Sequence, residues 1–203
     1  MMFDKLIKEM SRFVKDEHVR QDILDHKYGE GGLHWCCGPG VYKDVIDIDA
    51  ISFYPHILLN WHLVPRWINE KGFRELLTKR LSGDKDQRIK LALNIVTGKL
   101  RMKDSSPEDK DRGLTMCILG QILITVLKEK LVDAGAKVIQ INTDGIMVQA
   151  HGDGYFNATS EWTDFANIPL KIKDIEILEQ ADVNNYRATY YDGTTKTKGV
   201  KFK

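Results

Sequence analysis

The chain has 203 residues, 29% of them charged and 42% hydrophobic, with 30 lysines and arginines against 29 aspartates and glutamates. That balance excludes a disordered chain and a membrane bundle and fits one folded unit, or a core with a small appendage. A net charge of +1 lacks the basic excess of a dedicated nucleic-acid binder, so any such role must rest on where the charges lie.

In chain order, Phe3, Leu6, Ile7, Met10, Phe13 and Val14 recur at helical spacing, which predicts one or two packing helices over residues 3–26. The charges in this opening segment leave no apolar leader core, so export is not expected. The glycine-rich run from Tyr28 to His34, then Gly38-Pro-Gly40, predicts turns and close backbone approaches. Cys36 and Cys37 beside His34 lack the spacers and the fourth ligand of a structural zinc site, and three cysteines make no disulfide framework.

Val45 to Ile51 reads as a short buried strand whose apolar residues bracket Asp47 and Asp49. Ser52 to Trp61 predicts a helix, Pro65 interrupts the chain, and Trp67 to Leu81 is helical again. Ser82-Gly-Asp84 forms the tip of a helical hairpin whose second arm runs from Lys85 to Val96. Basic residues gather here (Lys79, Arg80, Lys85, Arg88, Lys90, Lys99, Arg101, Lys103) and again at the end (Lys196, Lys198, Lys201, Lys203).

A polar loop over residues 103–110 precedes a long buried helix ending near Ala134-Gly135. Thr115, Gly120, Gln121 and Thr125 break its apolar stretch, which is too short to cross a bilayer. Val138 to Ile141 and Gly145 to Gln149 form a hairpin with Asn142-Thr-Asp144 at its tip. A helix around Trp162, a strand from Leu170 to Leu178, and a final pair joined through Asp192-Gly193 complete the chain. This order predicts an α+β domain, an antiparallel sheet backed by helices.

Asp49 and Asp144 stand at predicted strand ends, remote in sequence but able to meet on one sheet, as a two-metal phosphoryl-transfer site requires. Hard Mg2+ takes oxygen ligands and keeps part of its water, so two carboxylates beside substrate phosphates suffice. By themselves, two aspartates among 29 acidic residues read equally well as turn formers.

Their neighbourhoods add specificity. Asp49-Ala-Ile-Ser-Phe-Tyr-Pro55 resembles the DxxSLYP motif of family B DNA polymerases. Lys90-Leu-Ala-Leu-Asn94-Ile-Val-Thr-Gly98 is similar to that family's KxxxNSxYG helix, and Asn142-Thr-Asp144-Gly-Ile-Met-Val148 to its DTDS hairpin. All three occur in the family's order. The likeness runs from about Gly31 to Lys203. In Gly31-Gly32-Leu33-His34, Gly120-Gln121, Val183-Asn-Asn-Tyr186 and Lys196-Thr-Lys-Gly199 it is closest in kind to the small phage and mobile-element members.

The resemblance implies a polymerase palm with a helical-hairpin fingers insertion. Residues 1–27 would be a lead-in, 28–66 the first part of the palm, 67–100 the fingers, and 101–203 the rest of the palm. It implies template-directed addition of deoxynucleotides to a primer 3′-hydroxyl at Asp49 and Asp144, with two Mg2+ ions that Mn2+ can replace. The backbone carbonyl of Ala50 would be a third metal contact. Ser52, Phe53 and Tyr54 fall in the nucleotide pocket, Tyr54 where its ring excludes a ribose 2′-hydroxyl.

Lys90 and Asn94 share a helix face and match the triphosphate and sugar or base contacts. Arg80 best matches the γ-phosphate arginine, with Lys79 and Arg88 as rivals. Gly31, Gly32, Asn185, Tyr186, Lys196 and Lys198 match DNA contacts. The partners implied are primer–template DNA, deoxynucleoside triphosphates, and separate exonuclease or thumb subunits, with no membrane. The location implied is cytoplasmic, in the host if the chain is phage-encoded.

Several positions depart from the family. Asn142 replaces the first acid of DTD, Thr97 replaces the tyrosine of YG, and Asn184-Asn185-Tyr186 stands where a basic KKRY-like string is usual. There is no room for an exonuclease ahead of Gly31 and little chain for a thumb beyond Phe202. Asp174-Ile-Glu176 resembles an exonuclease motif but follows the polymerase motifs, and is read as plain strand. The rival reading is a non-catalytic remnant that binds DNA or scaffolds a replication complex. A reverse transcriptase or RNA polymerase is disfavoured because the hairpin lacks adjacent aspartates.

Overall fold

The computed structural model describes residues 2–25, 27–84 and 86–202, without the side chain of Met2. Lys85 and Lys203, both counted in the basic runs, lie outside the described residues. In chain order the elements are α1 (Met2–Ser11), α2 (Glu17–Leu24), β1 (His34–Cys36), β2 (Gly40–Ala50), α3 (Phe53–Asn60), α4 (Glu70–Leu81) and α5 (Gln87–Lys99). They continue as α6 (Pro107–Asp133), β3 (Lys137–Asn142), β4 (Gly145–Gln149), α7 (Gly154–Ala166), β5 (Leu170–Asp182), β6 (Asn185–Tyr190) and β7 (Thr195–Lys198). The fold is α+β, with one antiparallel half-barrel sheet. Among the described residues no helix is long and apolar enough to cross a membrane.

The chain forms two compact units, Met1–Gly31 with Ile51–Ile122, and Gly32–Ala50 with Leu123–Lys203. In the first, side-chain caps start the helices. Asp16 accepts from the amides of His18 and Val19 ahead of α2, Asn69 from Gly72 at α4, and Asp86 from Arg88 at α5, each satisfying orphan N–H groups of a first turn. Helices α4 and α5 make the hairpin read from the sequence, and bury Phe73, Leu77, Ile89, Leu93 and Val96.

In the same unit Gly120 of α6 lets α3 approach, since a Cβ there would meet Phe53, Tyr54 and Ile57 at 3.1–3.5 Å. One turn-neighbour on, Gln121 reaches the glycine-rich segment. Its Nε2 donates to the carbonyls of Gly29 (2.9 Å) and Gly31 (3.1 Å), while its Oε1 accepts from the Gly29 amide (3.1 Å). A segment with few side chains is thus held by its backbone.

The second unit holds the whole sheet, in the order β1-β3-β4-β2-β5-β6-β7. Alternation along β2 sends Ile46 and Ile48 to one face, beside Ile146 and Val148 of β4, and all four are buried. Ile124, Leu127 and Leu131 of α6 and Ala158 and Trp162 of α7 supply matching apolar surface. Trp162 is fully buried and its Nε1 donates to the Leu123 carbonyl at 2.8 Å.

Strand β2 starts at Gly40, ahead of the run expected from Val45, because Val41 and Lys43 are exposed and alternate without an apolar signal. Asp44 (φ 54°) drops out of the ladder with β5, but the register is the same on either side of it, with Lys43 opposite Ile177 and Val45 opposite Ile175. Strand β1 was invisible in the sequence. It has three residues, and it exists because β3 offers Asn142, Ile141 and Gln140 as partners.

Candidate functional site

The opposite face of β2 carries Val45, Asp47 and Asp49. Asp49 pairs with Gly145 of β4 on one side and Lys171 of β5 on the other; Asp47 pairs with Met147 and Lys173. Directly paired residues point to the same face, so the register assembles acids, lysines and apolar groups on one surface. Much of that surface is an apolar and aromatic cluster of Val45, Ile139, Met147, Ile175, Leu178, Tyr186, Ala188 and Tyr190.

Asp144 arrives by the β3–β4 turn. Only Thr143 and Asp144 separate the paired Asn142 and Gly145. Thr143 adopts left-handed backbone (φ 41°), and the Asp144 amide donates to the Asn142 carbonyl at 2.5 Å. A branched residue in that region is strained and persists only when its surroundings fix it. The surroundings are explicit here. The Thr143 amide donates to the Leu33 carbonyl (2.8 Å), Thr143 Oγ1 lies 3.3 Å from His34 Nε2, and the Ala50 amide donates to the Asp144 carbonyl (2.8 Å).

Two glycines complete this corner. A Cβ at Gly32 would strike Thr143 Oγ1, Cγ2 and Cβ, so only glycine lets the chain pass over the turn. A Cβ at Gly145 would collide with Asp49 Oδ1, because the carboxylate leans over β4 toward the turn that bears Asp144. The structure therefore brings Asp49 and Asp144 together, with Gly32 and Gly145 making the room.

The electrostatics agree. Burial first, and the negative charge of Asp49 next, raise the Asp144 carboxyl above its ordinary value. Solvent still reaches Asp144, and screens part of this effect. Asp47, only 3% exposed, is pushed up to about 6 by burial, then by Asp49 and Asp144, against the opposing charges of Lys196 and Lys173. At Lys196 burial acts to lower the pKa, but Tyr186, Asp47, Asp49 and Tyr190 together outweigh it and the net shift is upward. Lys198 is lowered, by burial first and by its neighbour Lys196.

Tyr186 is 2% exposed and lies beneath the lysines, with Lys198 Nζ 6.0 Å from its ring centroid. Asn185 is engaged at both ends of its amide. Nδ2 donates to Asp182 Oδ1 and Oδ2 (2.9 and 3.0 Å), and Oδ1 accepts from the amides of Val200 and Lys201 (3.1 and 3.4 Å). It ties the segment after β7 to β5.

The remaining sequence-derived residues belong to the first unit. Ser52 (φ 51°) starts α3, and Phe53 and Tyr54 stack at 5.5 Å between centroids, with Tyr54 OH donating to the Gly31 carbonyl at 3.5 Å. Lys90 and Asn94 lie on the exposed side of α5. Arg80, at the end of α4, donates to the Asp84 carbonyl at 3.4 Å. Thr97 is buried and donates to the Asn94 carbonyl at 2.9 Å, so it serves the packed side of α5.

Sequence reasoning overlooked Asp47, Thr143, Lys171 and Lys173. The signal for Asp47 was its spacing of two from Asp49; the lysines gave none until the register of β5 was known. Among the described residues no group of three or more histidine, cysteine or acidic side chains is arranged to hold a metal ion. Comparison with protein-family models gives no match, and comparison with curated proteins gives none either.

Proposed function

We propose that the chain is the catalytic core of a template-directed DNA polymerase of the family B kind, adding deoxynucleotides to a primer 3′-hydroxyl. The observation that carries this reading is the corner where Asp49 of β2 and Asp144 of the β3–β4 turn, 95 positions apart in the sequence, come together beside a glycine whose Cβ would displace Asp49. The motif resemblance around both residues supports it, as does the helical hairpin that presents Lys90 and Asn94 on one exposed side. The sheet with helices against one face and acids on the other is then the palm, and α4–α5 the fingers.

The donor set at the corner is all oxygen, which suits a hard divalent cation such as Mg2+ or Mn2+. Asp49 and Asp144 would hold it, with the Ala50 carbonyl as a further donor. When bound, such ions supply activation of an attacking hydroxyl and neutralisation of phosphate charge. The chain's own residues do the rest. Thr143, Gly32 and Gly145 fix the two carboxylates; the motif resemblance assigns triphosphate and sugar or base contacts to Lys90 and Asn94, and exclusion of a ribose 2′-hydroxyl to the Tyr54 ring. Primer–template DNA and deoxynucleoside triphosphates are the partners of this reading.

The test is extension of a labelled DNA primer on a template with Mg2+ or Mn2+ and four deoxynucleotides, wild type against Asp144→Ala. Extension by wild type and loss of at least about a thousandfold in the variant is the expected result, since the group removed acts in the transition state. No extension by either protein in either metal defeats the catalytic reading.

A further inference from the structure

Four lysines lie on the acid-bearing face of the sheet, and two of them, Lys171 and Lys173, have no place in the motif resemblance. Lys171 stands opposite Asp49 and Lys173 opposite Asp47 on β5; Lys198 and Lys196 stand opposite Tyr186 and Ala188 on β7. Among the described residues none of the four forms a salt bridge, although other lysines of the chain do so with Glu161 and Asp182. Lys173 Nζ rests 4.8 Å from the Tyr190 ring centroid, and Lys198 Nζ 6.0 Å from that of Tyr186. An ammonium on an aromatic face spends part of its three N–H groups on the ring and keeps the rest for an anion.

From this geometry we infer that Lys171 and Lys173 form a second phosphate-binding row for duplex DNA, parallel to the row on β7 and flanking the aspartate corner. The inference rests on the polymerase reading for its choice of nucleic acid. Alternate residues on a strand are roughly 7 Å apart, and β5 and β7 are two strand spacings, roughly 9.5 Å, from each other. Two rows of ammonium groups at that separation suit an extended polyanion better than the compact charge of one nucleoside triphosphate. The phosphates supply close, directly bonded partners, where the chain's own acids act on these lysines only without ion-pair contact. Lysine contacts of this kind position a duplex without reading its sequence.

The experiment is binding of a fluorescein-labelled primer–template duplex in EDTA, without nucleotides, across a series of KCl concentrations. Wild type, Lys171→Gln/Lys173→Gln, Lys171→Arg/Lys173→Arg and a charge-matched control, Lys43→Gln/Lys71→Gln, are compared. Losing two phosphate contacts should flatten the slope of log Kd against log[KCl] by about 1.8, and equally for two unrelated duplex sequences. The arginine variant and the control should keep the wild-type slope. An unchanged slope in the glutamine variant overturns the inference, as does failure of wild type to bind the duplex.

Displacement of the duplex from wild type, but not from the glutamine variant, by equimolar deoxynucleoside triphosphate would assign the row to free nucleotide and also overturn it. Primer extension by wild type is measured separately with Mg2+ or Mn2+. If the slope falls but nothing is extended, the phosphate row stands and the polymerase reading fails.

Discussion

Replacing Asp47 by asparagine should stabilise the protein, by an amount that depends on pH. The folded chain moves this carboxyl from 3.8 to about 6, with burial the largest cause and Asp49 the next. The pKa is raised on folding, so between these values the folded state binds more proton than the unfolded state. Stability from this group is therefore intact below pH 4 and is lost as pH climbs toward 6. At roughly 1.4 kcal/mol per pH unit, the full loss is about 3 kcal/mol. Asparagine is nearly isosteric with the protonated acid and never ionises. Urea unfolding of wild type and Asp47→Asn in EDTA, from pH 4 to 8, should give equal midpoints at the acid end. The variant's advantage should grow to about 3 kcal/mol by pH 7. Parallel curves, or a variant destabilised throughout, would refute the reasoning.

Gly145→Ala places a Cβ where Asp49 Oδ1 sits, so primer extension should fall about a hundredfold, from displacement of the carboxylate, while the circular dichroism spectrum is kept. Gln121→Leu removes the three hydrogen bonds to Gly29 and Gly31; amide exchange at Gly29 should accelerate, with a stability loss of about 2–3 kcal/mol in urea unfolding. Trp162→Phe removes the indole N–H from the Leu123 carbonyl, leaving that oxygen only its helix partner, and opens space in the packed layer, for a loss of about 1–3 kcal/mol by the same measurement.

How much of this was legible in the sequence depended on how local the cause was. The α4–α5 hairpin followed from local spacing, whereas the caps at Asp16, Asn69 and Asp86 that fix where the helices start were not read from the sequence. The long helix α6 was legible from its apolar content except for its polar first turn, since residues 107–110, expected in a loop, belong to the helix. Strand β1 was not, since His34–Cys36 is held by partners more than a hundred positions away. Gly32 drew attention as a candidate DNA contact, yet its close approach to Thr143 gives it a definite structural task, which no string of letters discloses. Asn185 is similar, spending its amide on Asp182 and on the backbone after β7.

The lysines opposite the acids make the same point about register. A slip of one residue between β2 and β5 would send Lys171 and Lys173 to the helix-covered face and bring Ile172 beside an aspartate. That slip is opposed because Ile46 and Ile48 must be buried on one side while Val45 and Ile175 are buried on the other. The apolar residues of β2 and β5 thus fix the position of the charged ones. Asp47 also acquires a rationale that stability alone denies it. A third negative charge beneath Asp49 and Asp144 deepens the potential that would attract a divalent cation, and the lysines of β5 and β7 limit its self-repulsion. A residue that weakens the fold at neutral pH, on a face otherwise floored by Tyr186, Tyr190 and Met147, is what a site for cations and phosphates would cost.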